Sequence, residues 1–251
     1  MLKKNIIINN LSATYYQSDD FQIQSPLVFL HGWQSEARHL NNILSNCRNL
    51  IALDLPGFGQ SQPPKEAWGI ADYAEFLKNF LSKLYVNDPI LIGHSFGGSI
   101  IIKYAALGHG AKKIILIDSS GIRKKTLKKS LYNILAKTFK LGFALPGLNK
   151  FTGAARKKFY KKIGSLDYVN TGGLKKTYQK IISEDLSADL TKISMPTEII
   201  WGEDDREVPL SDARAMNNLI KHSRLHVIKQ AGHWPFLDKK DEFNKLFIQL
   251  I

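Results

Sequence analysis

The stretch Ile90-Leu91-Ile92-Gly93-His94-Ser95-Phe96-Gly97-Gly98 constrains the fold more than any other part of the chain. Three successive aliphatic residues lead into a glycine-rich turn, and a mostly small or apolar helical pattern, Ser99 to Leu107, follows. An uninterrupted apolar run marks a strand buried on both faces. Glycines two before and two after Ser95 let neighbouring backbone pass close to a tight reversal. A strand that turns directly into a helix is half of a βαβ unit, so a mostly parallel sheet flanked by helices is expected.

The rest of the chain repeats the pattern. Ile6-Ile7-Ile8 and Thr14-Tyr15-Tyr16 suggest an N-terminal hairpin. Further apolar runs begin at Leu27, Leu50, Ile114, Thr197 and Leu225, with amphipathic helices expected over 70–84 and 238–250. Only one connection departs from the alternation. About 75 residues between Asp118 and Thr197 are helical in pattern and strongly basic, punctuated by Pro146-Gly147 and Gly172-Gly173. The expected organisation is therefore a core over 1–120, a basic insertion over 121–192 and the remainder of the core over 193–251.

That insertion holds the whole charge imbalance of a chain with net charge +13: residues 121–192 carry 17 Lys and Arg against 4 Asp and Glu, and the remainder carries 18 of each. Three readings remain open: a solvated lysine face, attraction of an anionic substrate or acidic carrier protein, and contact with an anionic membrane surface. Nucleic acid is not expected, because no binding motif accompanies the charge and aromatics are not interleaved with it. The one cysteine, Cys47, excludes an intrachain disulfide and a cysteine-rich metal site, and is read as a small buried residue. No apolar run approaches a membrane span, and Ile6-Ile7-Ile8 is too short for a secretory core, so a cytoplasmic location is expected.

Ser95 lies where a strand-to-helix turn projects its hydroxyl above the carboxyl edge of a sheet. A serine attacks at neutral pH only if a base takes its proton, and the base must be held by a carboxylate. His233, in the turn Ala231-Gly232-His233-Trp234-Pro235, is the expected base. His94 is expected to pack or hydrogen-bond instead, because adjacent residues on such a turn point apart. In Gly202-Glu203-Asp204-Asp205, Asp205 is preferred as the acid, with Asp204 and the strand-ending Asp118 as rivals. The order Ser, Asp, His follows. Amides to stabilise a tetrahedral oxyanion are expected from Phe96 and Trp33, with His31 bracing the Trp33 loop. Leu131, Leu135, Phe139, Phe143, Leu148, Phe151 and Trp234 are expected to wall the substrate pocket, although the first six, at helical spacing, equally suit the insertion's own core.

These landmarks resemble those of the α/β-hydrolase superfamily from about Leu27 to Leu250. His31-Gly32-Trp33 is similar to its oxyanion strand end, Asp54 to Ser61 to its glycine-rich loop, Gly93 to Gly98 to its nucleophile elbow, Gly202 to Pro209 to its acid turn and Gly232-His233 to its histidine loop. The resemblance implies an α/β-hydrolase fold with an eight-stranded, mostly parallel sheet and a helical cap at the basic insertion. It also implies a serine hydrolase acting on a small-molecule acyl substrate, most simply a carboxylic ester, with no cofactor and no metal. A carbon–carbon bond hydrolase of ring-cleavage diketones, a lactonase and a non-catalytic binding protein of the same fold stay open. A serine rather than an aspartate at the elbow disfavours halide displacement.

Overall fold

The computed structural model describes residues 1–40, 43, 47–123 and 172–251. Eight strands form one sheet in the order β1-β2-β4-β3-β5-β6-β7-β8: β1 (Leu2–Ile8), β2 (Leu11–Gln17), β3 (Leu27–Leu30), β4 (Leu50–Leu53), β5 (Ile90–His94), β6 (Lys113–Ile117), β7 (Thr197–Gly202) and β8 (Ser223–Ile228). The pairs from β4 onward are parallel, while β2 runs antiparallel to both β1 and β4. Asn9 and Asn10 both take positive φ between β1 and β2, the backbone a two-residue hairpin demands.

Strand alternation divides the core into two layers. Val28, Leu30, Leu91, Ile114, Leu116 and Ile199 face helices α1 (Ile70–Lys83) and α2 (Phe96–Ala106). Phe29, Ile92, Ile115, Ile117 and Ile200 face the opposite side, where they join Phe243 and Phe247 of the C-terminal helix α7 (Lys240–Leu250). Between β6 and β7 the described α-helices are α3 (Lys175–Ser183), entered through a 3-10 turn over Gly172–Leu174, and α4 (Ser187–Leu190), and α5 (Leu210–Leu219) follows β7. A four-residue helix, α6 (Pro235–Asp238), precedes α7. Ile181, Leu186 and Leu190 are buried in the first core layer, so the end of the basic segment packs on the sheet's own helices. The proposed pocket wall at Leu131, Leu135, Phe139, Phe143, Leu148 and Phe151 lies outside the described residues. None of the described helices is long and apolar enough to cross a membrane.

Helix α2 begins at Phe96, three residues earlier than the sequence suggests. Propensity alone marks Gly97-Gly98 as loop, but here packing decides. A Cβ on Gly97 would overlap the carbonyl oxygen of Leu30, and one on Gly93 would come within 2.6 Å of the Gly97 carbonyl carbon. The helix can therefore lie against β3 and β5 only with glycine at both positions. Gly97→Ala is expected to force the helix off the sheet, costing on the order of 3 kcal/mol and lowering the urea midpoint. An unchanged midpoint would show that the contact yields.

Candidate active site

Parallel strands deliver their carboxyl ends to one edge of a sheet, which is where open α/β folds assemble sites. Five segments converge there: His31 after β3, Ser95 after β5, Asp118 after β6, Asp205 after β7 and His233 after β8. Ser95 (φ 51°, ψ −112°) and Asp118 (φ 42°) both hold left-handed backbone. Such conformations cost roughly 1–3 kcal/mol and persist only where surrounding contacts fix them. Around Ser95 those contacts are its amide bonded to Ile117 O at 3.0 Å and its carbonyl accepting the amides of Gly98 and Ser120 at 3.1 Å each and of Ser99 at 3.3 Å.

The acid turn and the histidine loop are stitched together by backbone. Glu203 N–H donates to Ile228 O (2.9 Å), and Asp204 N–H donates to Ala231 O (2.8 Å). His233 Nδ1 then lies 2.8 Å from Asp205 Oδ2, with both residues buried. Asp205 Oδ1 accepts the amides of Glu207 (2.7 Å) and Val208 (2.9 Å). Burial alone would raise the Asp205 carboxyl, but the bonds from His233 and these two amides outweigh it and hold the group below the usual carboxylate range. The rival Asp204 is exposed. The third carboxylate, Asp118, is fully buried; its Oδ1 accepts the Gly202 amide at 2.9 Å.

A matching pattern extends across the chain: residues 25–240 fit the family model described as the alpha/beta hydrolase fold. The chain belongs to that family. A relative from Bacillus subtilis, the AB hydrolase superfamily protein YisY, is 29% identical over 89% of this chain and 90% of its own length. The 2-hydroxy-6-oxo-2,4-heptadienoate hydrolase of Pseudomonas putida is 25% identical over 90% and 87% respectively. Among solved structures, the esterase from Exiguobacterium antarcticum superposes with a TM-score of 0.76 over 99% of both chains at 23% identity, a likeness of fold.

In this α/β-hydrolase His31 does brace the loop before Trp33. Its Nδ1 lies 2.7 Å from Gly32 O and its Nε2 accepts the Leu55 amide at 3.0 Å, which requires the neutral tautomer protonated on Nδ1. Burial lowers its pKa to about 4, in keeping with that state. The amides of Trp33 and Phe96 have no acceptor among the described residues, and a Cβ built on Gly32 would stand 3.3 Å from Ser95 Cβ. The Trp33 loop and the elbow are thus side by side. Trp33 itself packs against Phe58, Phe96 and Tyr178, with ring centroids 4.8, 5.5 and 5.1 Å away, and its buried Nε1 has no partner among the described residues.

Two contacts escaped the sequence reading in detail. His94 Nε2 lies 2.8 Å from the His233 carbonyl oxygen, which ties the residue before Ser95 to the histidine loop. Trp234, expected in the pocket wall, packs on His94 with centroids 4.4 Å apart and the rings tilted by 42°, and touches Phe236. The outer face of His233 meets Glu207: Nε2 stands 3.6 Å from Glu207 Oε2, an exposed carboxylate. Ser95 Oγ makes no hydrogen bond among the described residues. Cys47 is only half-buried; its Sγ donates to Ile43 O, and burial pushes its thiol up to about 11.

Proposed function

We propose that this α/β-hydrolase is a serine hydrolase of carboxylic esters or related acyl bonds. The observation that carries the reading is the buried 2.8 Å His233–Asp205 bond at the sheet edge that also bears the strained Ser95. Ser95 Oγ attacks the carbonyl carbon and passes its proton to His233 Nε2. Asp205 fixes the tautomer that leaves Nε2 free to accept it and stabilises the imidazolium that results. The amides of Phe96 and Trp33 receive the oxyanion. Collapse breaks the C–O bond, His233 returns the proton to the departing alcohol, and water repeats the sequence on the acyl-enzyme to release the acid. Among the described residues Ser95 Oγ and His233 Nε2 are not hydrogen-bonded and Nε2 faces the Glu207 carboxylate; the reading requires their bond to form as substrate fills the site and displaces that carboxylate, as catalytic hydrogen bonds often do.

The relatives from Pseudomonas putida and Comamonas testosteroni, named as hydrolases of 2-hydroxy-6-oxo-dienoates, favour a second reading, carbon–carbon cleavage of a vinylogous diketone by the same residues. A fluorophosphonate is expected to label Ser95 stoichiometrically, with the adduct located by peptide mass spectrometry. Turnover of p-nitrophenyl esters beside a ring-cleavage diketone then separates the two reactions. Labelling elsewhere, or none, would end both.

A further inference from the structure

Two buried carboxyls meet beneath His233. One oxygen of Asp118, one of Asp205 and one ring nitrogen of His233 all lie within 4.8 Å of one another. His233 Nδ1 is already bonded to Asp205, so the cluster is an extended hydrogen-bonded group. Asp118 Oδ1 is satisfied by the Gly202 amide, but its fully buried Oδ2 has no donor among the described residues. The group beside it is another acceptor. An acceptor facing an acceptor in a fully buried site is resolved by a proton on one of them. Asp205 cannot be that one, because it already receives three N–H bonds.

We propose that Asp118 is a positioning residue and a second acid in reserve: it holds a proton directed at Asp205, and it accepts His233 Nδ1–H when the Asp205 carboxylate is removed. The inference rests on the Ser95–His233–Asp205 reading. Burial, followed by the negative charges of Asp205 and Asp238, holds the Asp118 carboxyl well above the usual carboxylate range, with the Gly202 amide opposing. The groups facing it are Asp205, Asp238 and His233. Its left-handed backbone and the Gly202 bond pin it in place, so its position does not depend on Asp205. Once Asp205 is gone, its negative charge no longer opposes ionisation, and Asp118 can pair with the imidazole as a carboxylate.

The test is a set of variants assayed on p-nitrophenyl acetate from pH 6 to 9, each checked for folding by thermal melting. Asp205→Ala is expected to keep kcat/KM at least about tenfold above Ser95→Ala, with a profile that rises toward alkaline pH as Asp118 gives up its proton. Adding Asp118→Asn should bring it to the Ser95→Ala floor. Should Asp205→Ala fail to fold, Asp205→Asn keeps an acceptor for the Glu207 and Val208 amides and supports the same comparison. In the otherwise native chain, Asp118→Asn can still donate to Asp205 and should cost less than Asp118→Ala. Asp205 variants at the Ser95→Ala floor, or unaffected by the added Asp118→Asn, would overturn the inference and leave the triad standing. Native rates in Ser95→Ala would overturn the triad itself, and the reserve role with it.

Discussion

Ser95→Ala is expected to lower kcat/KM on an activated ester by roughly 10⁴-fold or more, with thermal stability close to that of the native chain. The expectation follows from where the nucleophile sits. Alanine carries the same backbone groups and Cβ, so the left-handed backbone at φ 51° and the four hydrogen bonds that hold the turn are kept. It removes only the oxygen that would attack. The Phe96 and Trp33 amides and the binding surface survive, so a residue of catalysis above the reaction in water is expected. Ser95→Gly makes a useful companion: it loses the same oxygen but relieves the strain, and should melt higher than Ser95→Ala. Steady-state assays beside thermal melts check both statements, and an alanine variant that hydrolyses the ester at the native rate would remove Ser95 from the mechanism.

Acid is expected to destabilise the protein through its two most buried imidazoles. Burial, with the positive charge of His233 as a second cause, lowers His94 to about 3; burial lowers His31 to about 4. An unfolded histidine titrates near 6.5. The unfolded chain therefore binds more protons below that pH, and stability falls as the pH drops. The contribution is intact above about 6.5 and is lost progressively toward about 3 for His94 and about 4 for His31. At one factor of 1.36 kcal/mol per unit, these losses are on the order of 5 and 3 kcal/mol. Asp118 acts in the opposite sense, because it is raised and its folded form keeps a proton that the unfolded chain releases. The clean measurement is therefore a difference between variants. His94→Gln can still offer an amide to the His233 carbonyl but cannot take up a proton. Between pH 6 and 4.5 its stability should fall less steeply than that of the native chain, by about 1.4 kcal/mol per pH unit. Urea titrations at several pH values decide this, and parallel lines would refute it.

Much of this arrangement was legible before any coordinates. Parallel strands covered on both faces leave continuous runs such as Ile90 to Ile92 and Ile114 to Ile117 in the chain, and the runs Ile6 to Ile8 and Thr14 to Tyr16 suggest the hairpin. The elbow, the acid turn and the histidine loop carry local spacing that a reader can recognise. Other features had no local signal. The start of α2 was misplaced because two glycines argue against helix until the Leu30 carbonyl beside them is known. The bond from His94 to the His233 carbonyl joins residues 139 apart in the chain. Asp118 did carry a signal, as a strand-ending rival for the acid, but only the fold brings its carboxyl beside that of Asp205.

The sheet order has one more consequence. Strand β5, which launches Ser95, lies in the interior of the sheet, whereas β8, which leads to His233, is the last of the described strands and among them has a neighbour on one side only. The imidazole is therefore carried by the margin of the scaffold and the hydroxyl by its centre. Local opening at that margin would separate the proposed proton acceptor from the proposed nucleophile while most of the molecule stays folded, so mild heat or denaturant should silence turnover reversibly before it melts the protein.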